Sequence, residues 1–248
     1  MSDSTPSGPG CITLVPTPIG NLADITLRAL EVLRAADIVA CEDTRHTRIL
    51  LDHHGIQARL VSLHEHNEAR RSAELVEQAA EGANVAVVSD AGMPGISDPG
   101  ARLIQACLRA GIRHEVLPGP CAFLTALVGS GFPAEPFYFG GFLPVKKGRR
   151  ERVLREALER EDATSVFHES PHRLDGSLDI LAAIDPDRLI CVAREISKKF
   201  EQYHRGRAAD LAQHFHKTAP RGEIILLVSP RNLPKYQAGV EETPQIEE

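Results

Sequence analysis

The stretch "SDAGMPGISDPG", Ser89 to Gly100, follows the apolar run "VAVV" and carries three glycines, two prolines and two aspartates. Gly92, Gly95 and Gly100 allow close backbone approach and unusual dihedrals. Pro94 and Pro99 stiffen the loop. Asp90 and Asp98 can hold a ribose hydroxyl or offset a cationic ligand. The simpler reading is a tight surface loop in which Asp98 caps the next helix. "CEDTRHTR" gathers Glu42, Asp43, Arg45, His46 and Arg48, and "LHEHNEARR" gathers His64, Glu65, His66, Asn67, Arg70 and Arg71. Asp43 or Thr44 can cap one helix and Asn67 the next, but two polar clusters at neighbouring strand ends should face one crevice. "HEH" on a strand puts both imidazoles on one side with no convincing third ligand, so no metal is expected. Later, "FHESPHR" and "AREISKKFEQYHRG" place Glu169, His172, Arg173, Arg194, Glu195, Lys198 and Lys199 after strands. Arg173 with Lys198 and Lys199 suits phosphate contact. The acids and bases of "KKGRRERVLREALERE" alternate, as on a solvated helix face.

These groups need elements to hold them. Apolar runs alternate with helical periods: "CITLV", "DIVACED", "RLVSLHEHN", "ANVAVVSD" and "RHEVLPG" read as strands. Between them, "ITLRALEVLRAA", "TRHTRILLDHHG", "EARRSAELVEQAAEG" and "ARLIQACLRAG" read as helices. Repeated βα units imply an α/β fold with a largely parallel, helix-covered sheet. Ligands in such sheets sit outside the carboxyl ends of the strands. "LPGPCAFLTALVGSG" is a stiff turn running into an uncharged helix, either a domain junction or a wall for a flat ligand. Beyond it lie the strands "PFYFGGFLP", with a glycine break, "ATSVFHES", "DRLICVARE" and "GEIILLVSP", and the helices "KKGRRERVLREALERE" and "PHRLDGSLDILAAI". The expected division is a disordered tail over 1–10, domains over 11–131 and 132–232, and a disordered tail over 233–248.

Composition narrows the class. A chain of 248 residues with a net charge of −6 suits one large or two modest domains and lacks a generally basic surface. The five cysteines are scattered with no CxxC pair, against a disulfide framework or zinc site and in favour of a cytoplasmic protein. The start "MSDSTPSGPG" is unlike a signal peptide. No apolar run approaches the roughly 20 residues that span a bilayer. Neither GxGxxG nor GxxxxGK[ST] occurs in the loop, which argues against a nicotinamide dinucleotide or a nucleoside triphosphate.

The ordered set "VPTPIGNLADITLRALEVL", "CEDTRHTRILLDHHGI", "HEHNE", "VVSDAGMPGISDPG", "VLPGPCAFLTALVGSG", "FYFGGFLP", "FHESPHR", "VAREISKKFE" and "RGEIILLV" resembles the 16S ribosomal RNA cytidine 2′-O-methyltransferases of the tetrapyrrole methylase superfamily. The resemblance covers nearly all of Cys11 to Pro230. It implies two α/β domains of the class III methyltransferase type, with S-adenosyl-L-methionine in the interdomain cleft, usually as a homodimer. It implies cofactor contacts from Pro16, Asp90, Ala91, Gly92, Met93, Ile96, Ser97, Cys121 and Ala122, and less firmly from Glu169, Ala193, Pro220 and Arg221. The implied acceptor is a cytidine ribose in the decoding region of 16S rRNA, within the small ribosomal subunit. Attack of a 2′-hydroxyl on a sulfonium methyl needs no metal but gains from a base. Glu42, Asp43 and His64 crowd one strand-end crevice and are the candidates, while Arg45, Asn67, Arg173 and Lys198 are expected against RNA. Competing readings are a tetrapyrrole or precorrin methyltransferase, which the charged clusters disfavour, a non-catalytic RNA-binding assembly factor, and a nicotinamide oxidoreductase.

Overall fold

The computed structural model describes residues 9–233. The expected disordered tails, 1–10 and 233–248, fall outside these residues except for Pro9, Gly10 and Leu233. Gly10 is no loose tail. It is buried, its N–H donates to the Ala79 carbonyl at 2.8 Å, and a Cβ there would overlap the Ala83 carbonyl. The chain divides into two compact units after Cys121.

The first unit is built on a five-stranded sheet, ordered β3-β2-β4-β1-β5 and parallel throughout. Its strands are β1 (Ile12–Leu14), β2 (Ile38–Cys41), β3 (Leu60–Ser62), β4 (Val85–Val88) and β5 (His114–Val116). Alternate residues feed two cores, as a sheet covered on both faces requires. Ile12, Leu14, Ile38, Ala40, Val85 and Val87 pack under α3 (Glu68–Ala80) and α4 (Ala101–Ala110). Val15, Val39, Cys41, Ala86 and Val88 pack on the other side under α1 (Leu27–Ala35) and α2 (Thr44–His53). The connection leaving β1 runs towards β2, and the one leaving β4 runs the opposite way, towards β5. The two connections cross over opposite faces of the sheet, with α1 in one core and α4 in the other. Adjacent strands whose connections leave for opposite faces create a crevice at their carboxyl ends.

The second unit departs from the parallel pattern. Its sheet is ordered β6-β7-β10-β8-β9, with β6 (Phe137–Phe142) parallel to β7 (Thr164–Glu169). The pairs of β10 (Ile224–Val228) with β7 and with β8 (Leu189–Arg194), and of β8 with β9 (Gln202–Arg207), are antiparallel. One core lies between this sheet and the helices α6 (Lys147–Glu159), α7 (Leu174–Ile184) and α8 (Ala208–Lys217). The other face carries α5 (Ala122–Ser130), whose Ala126 and Leu127 are buried there. That packing assigns α5 to the second unit, whereas a boundary near Phe132 places it in the first. The glycine break in β6 is a register shift between Phe139 and Phe142, with Gly141 at φ 66°. The strand β9 and the helix α8 were not expected. "QYHRGR" lacks an apolar alternation, and its pairing with β8 makes it a strand.

Candidate functional site

The carboxyl ends of β4, β1 and β5 converge. Beyond β1, Thr17 and Gly92 exchange backbone hydrogen bonds at 2.9 and 3.0 Å, tying the "PTP" turn to the glycine loop. The Thr17 hydroxyl donates to the Ser89 carbonyl at 3.1 Å, and the buried Ser89 hydroxyl donates to the Gly92 carbonyl at 3.1 Å. Gly92 has φ 78°, which a side chain strongly disfavours. Pro16 lies against Gly119 beyond β5, where an added Cβ would come within 2.7 Å of the Pro16 Cβ. Glycine at 119 lets the chain beyond β5 pack directly on the Pro16 ring, and a Cβ at Gly92 would touch Ile19 Cγ2 at 3.4 Å. The loop's outer part presents exposed Ala91, Ile96 and Ser97 and half-buried Met93, with Ser97 at φ 64°. Cys121 follows half-buried at the end of this unit. Beside the glycine loop a small hollow is lined by Thr17, Pro18, Leu22, His46, Thr47 and Asp90.

The loop closes differently from expectation. Asp98 does not cap α4: Gly100 occupies the cap position at φ 140°, without a side-chain cap. Instead Glu68, from the first turn of α3, accepts the Gly100 N–H at 2.9 Å with its Oε1, and its Oε2 lies 3.7 Å from Arg102. Asp98 keeps a half-buried carboxyl, pushed up to about 6 by burial first and then by the Glu42 and Asp90 carboxylates.

The three base candidates divide on their surroundings. Asp43 caps α2, accepting from the Arg45 backbone N–H at 2.8 Å and from its guanidinium at 3.1 and 2.7 Å. That guanidinium holds the Asp43 carboxyl well below the usual carboxylate range, so it accepts a proton poorly. The Asp43 N–H donates to Asp90 Oδ1 at 3.2 Å, which brings the ends of β2 and β4 together. Glu42 is exposed, yet partial desolvation and then the Asp90 carboxylate raise its carboxyl above the ordinary value, with His64 opposing. His64 lies beyond β3, just before a turn at 65–67. "HEH" is therefore off the strand, and the rings of His64 and His66 meet edge to face at 6.0 Å. Asn67 occupies the cap position of α3 but makes no capping bond. Its Oδ1 accepts from the His64 N–H at 2.9 Å, and its Nδ2 donates to the Ser62 carbonyl and faces His64 Nε2, each at 3.2 Å.

In the second unit most expected ligand groups are engaged with one another. Glu169, at the end of β7, is buried. It accepts from the Ser177 hydroxyl at 2.6 Å and the Ser170 N–H at 2.7 Å, and pairs with Arg173 at 2.9 Å. Arg173 is thus tied to an internal carboxylate. Lys198 bridges Glu195 at 3.0 Å and Glu223 at 3.3 Å. Burial opposes its charge, but these carboxylates outweigh that and leave the ammonium above its ordinary value. Ala193 is fully buried in mid-sheet opposite Ile225 and Tyr203. Ala122 opens α5 half-buried, and Pro220 is half-buried ahead of β10. Arg45 is 89% exposed, its guanidinium held by Asp43 at 2.7 Å.

Sequence reasoning passed over Thr17, Ser89, Glu68 and Gly119. All four lie inside the quoted motifs, Glu68 as the last residue of "HEHNE" and Gly119 in "VLPGPC". Glu68 reads as an ordinary helix-start acid, and only its burial and its bond to Gly100 give it a role.

The model of the Tetrapyrrole (Corrin/Porphyrin) Methylases matches residues 11–212. The chain belongs to this family. Among curated relatives of this methylase, the ribosomal RNA small subunit methyltransferase I of Escherichia coli O157:H7 is 49% identical over 229 residues, covering 91% of this chain and 79% of its own. The Thermotoga maritima protein of the same description is 44% identical over 220 residues, covering 89% and 98%. The crystal structure of uroporphyrin-III-C-methyltransferase from Thermus thermophilus aligns with a TM-score of 0.64 at 26% identity, over 91% of this methylase and 100% of that chain. No helix among the described residues of the methylase is long and apolar enough to cross a membrane.

Proposed function

We propose that the chain transfers the methyl group of S-adenosyl-L-methionine to small-subunit ribosomal RNA, at the 2′-hydroxyl of a cytidine ribose in the decoding region of 16S rRNA. The relatives' shared description as ribosomal RNA small subunit methyltransferase I supports the acceptor. The observation that carries the reading is the carboxyl edge where the "PTP" turn, the glycine loop and Gly119 pack together beside the Asp90, Glu42 and Asp98 carboxylates. The residues fit the cofactor. Backbone and small side chains at Gly92, Ala91 and Cys121 suit a flat adenosine, exposed Ile96 adds an apolar face, and Asp90 suits ribose hydroxyls or a sulfonium charge. When bound, S-adenosyl-L-methionine supplies a methyl group on a positively charged sulfur that leaves neutral.

The chain's own part is alignment and proton removal. The ribose hydroxyl oxygen forms the new C–O bond as the methyl–sulfur bond breaks, and the hydroxyl proton passes to a base. Glu42 is the base best suited to this, because its raised carboxyl holds a proton better than the Arg45-bound Asp43. General-base help is typically worth about 10²–10⁴-fold. A homodimer in the cytoplasm completes the reading. The test is incubation of unmodified small ribosomal subunits, and separately of a tetrapyrrole, with radiolabelled S-adenosyl-L-methionine. Label in one ribose of 16S rRNA is expected. Label in the tetrapyrrole alone would refute the acceptor, and no cofactor binding by calorimetry would refute the activity.

A further inference from the structure

Where the chain leaves the edge strand β6 it runs "FLPVKKGRR", and the side chains there are hard to explain by folding alone. Phe142 is 61% exposed and Val145 75% exposed. Lys146, Lys147 and Arg149 follow, all exposed, at the start of α6. The first turn of α6 holds no acid and has no side-chain cap. A helix start is the positive end of the dipole, where cations are disfavoured. Further along the same helix the bases are neutralised: Arg152 has Glu156 at 4.0 Å and Arg155 has Glu151 at 3.2 Å. Lys146, Lys147 and Arg149 have no ion-pair partner among the described residues. Arg150 behaves differently. It is buried and donates to the Pro144 and Val145 carbonyls at 3.4 and 3.3 Å, holding the turn that presents its neighbours. Phe142 is braced by the His168 ring, with centroids 4.9 Å apart. A concentrated, unpaired positive charge on a protein of net charge −6 calls for a polyanion, and an exposed, supported ring beside it calls for something that stacks.

We propose that Lys146, Lys147 and Arg149 form a phosphate-contact patch for RNA, with Phe142 as the ring on which an unpaired base stacks. This rests on the RNA acceptor argued above and adds a docking surface made of residues that the methyl-transfer step does not use.

The test is binding of a fluorescein-labelled single-stranded RNA oligonucleotide to the full chain by anisotropy, from 50 to 200 mM salt. Each phosphate contact contributes about 0.7 to the slope of log K against log salt for single strands, so replacing all three cations with Ala should lower the slope by about 2. Because that contribution vanishes near 1 M salt, the loss at 0.1 M should be about a hundredfold. The charge-retaining set Lys146→Arg, Lys147→Arg and Arg149→Lys should keep the slope. The set Arg152→Ala, Arg155→Ala and Lys217→Ala removes equal charge elsewhere and should lower the affinity by no more than a few-fold. Phe142→Ala should weaken binding with little change in slope. An Ala triple that retains the wild-type slope would overturn the inference, whether or not it alters the oligomeric state. So would equal losses in the two Ala sets. A wild-type protein whose RNA affinity is flat in salt would overturn the RNA acceptor as well.

Discussion

Glu68→Ala probes how the glycine loop is held. The Glu68 carboxylate is 10% exposed and takes the Gly100 N–H at 2.9 Å. Its second partner, Arg102, is 66% exposed at 3.7 Å, so that pair is worth no more than about 1 kcal/mol. Truncation leaves a buried N–H without a partner at the start of α4, which costs about 1–3 kcal/mol. The loop can escape that cost by leaving its binding-competent shape, and apparent affinity falls in proportion to the competent fraction. At 1.4 kcal/mol per tenfold, S-adenosyl-L-methionine should bind roughly 5- to 150-fold more weakly. Glu68→Gln keeps an acceptor oxygen in place and should lose only a few-fold. Calorimetric titration of the cofactor into both variants, with circular dichroism to check the fold, separates the cases. A folded Glu68→Ala protein with wild-type cofactor affinity would refute the idea that this carboxylate sets the loop.

Other outcomes follow from the same corner of the fold. Glu42→Gln should slow single-turnover methyl transfer about 10²–10⁴-fold while sparing cofactor binding, and Asp43→Asn should change the rate by only a few-fold; equal rates in both would contradict the assigned base. Asp98 binds its proton more tightly folded, at about 6, than an unfolded aspartate does near 3.9, so the folded state holds the extra proton between those values and stability falls as pH rises through them. Asp98→Asn should therefore raise the melting temperature at pH 7.5 and leave it nearly unchanged at pH 4; scanning calorimetry at the two values checks the sign. Gly119→Val pushes its Cβ into the rigid Pro16 ring and should cost about 1–3 kcal/mol with weaker cofactor binding, whereas Gly148→Ala, with open space around its Cβ, should stabilise α6 by about 0.4–1 kcal/mol, both read by denaturant titration.

Apolar runs alternating with 3.6-residue periods, punctuated by Gly and Pro, identify every strand of the first sheet and the loop beyond β4, because burial and backbone freedom are local properties. The same local code passed over β9, whose "QYHRGR" is a strand only because β8 lies beside it. Strand order, and the mixed directions of the second sheet, come from pairings between distant segments. The tertiary structure also decided which charges stay available. Asp43, Glu169, Arg173 and Lys198 each look like a ligand group in one dimension, and each is held by a neighbour in three. Glu68 shows the reverse, because its partner Gly100 is 32 residues away in the chain. A residue's type and spacing set what it can donate or accept, whereas the pairing that uses up that capacity depends on distances that only the folded chain brings within reach.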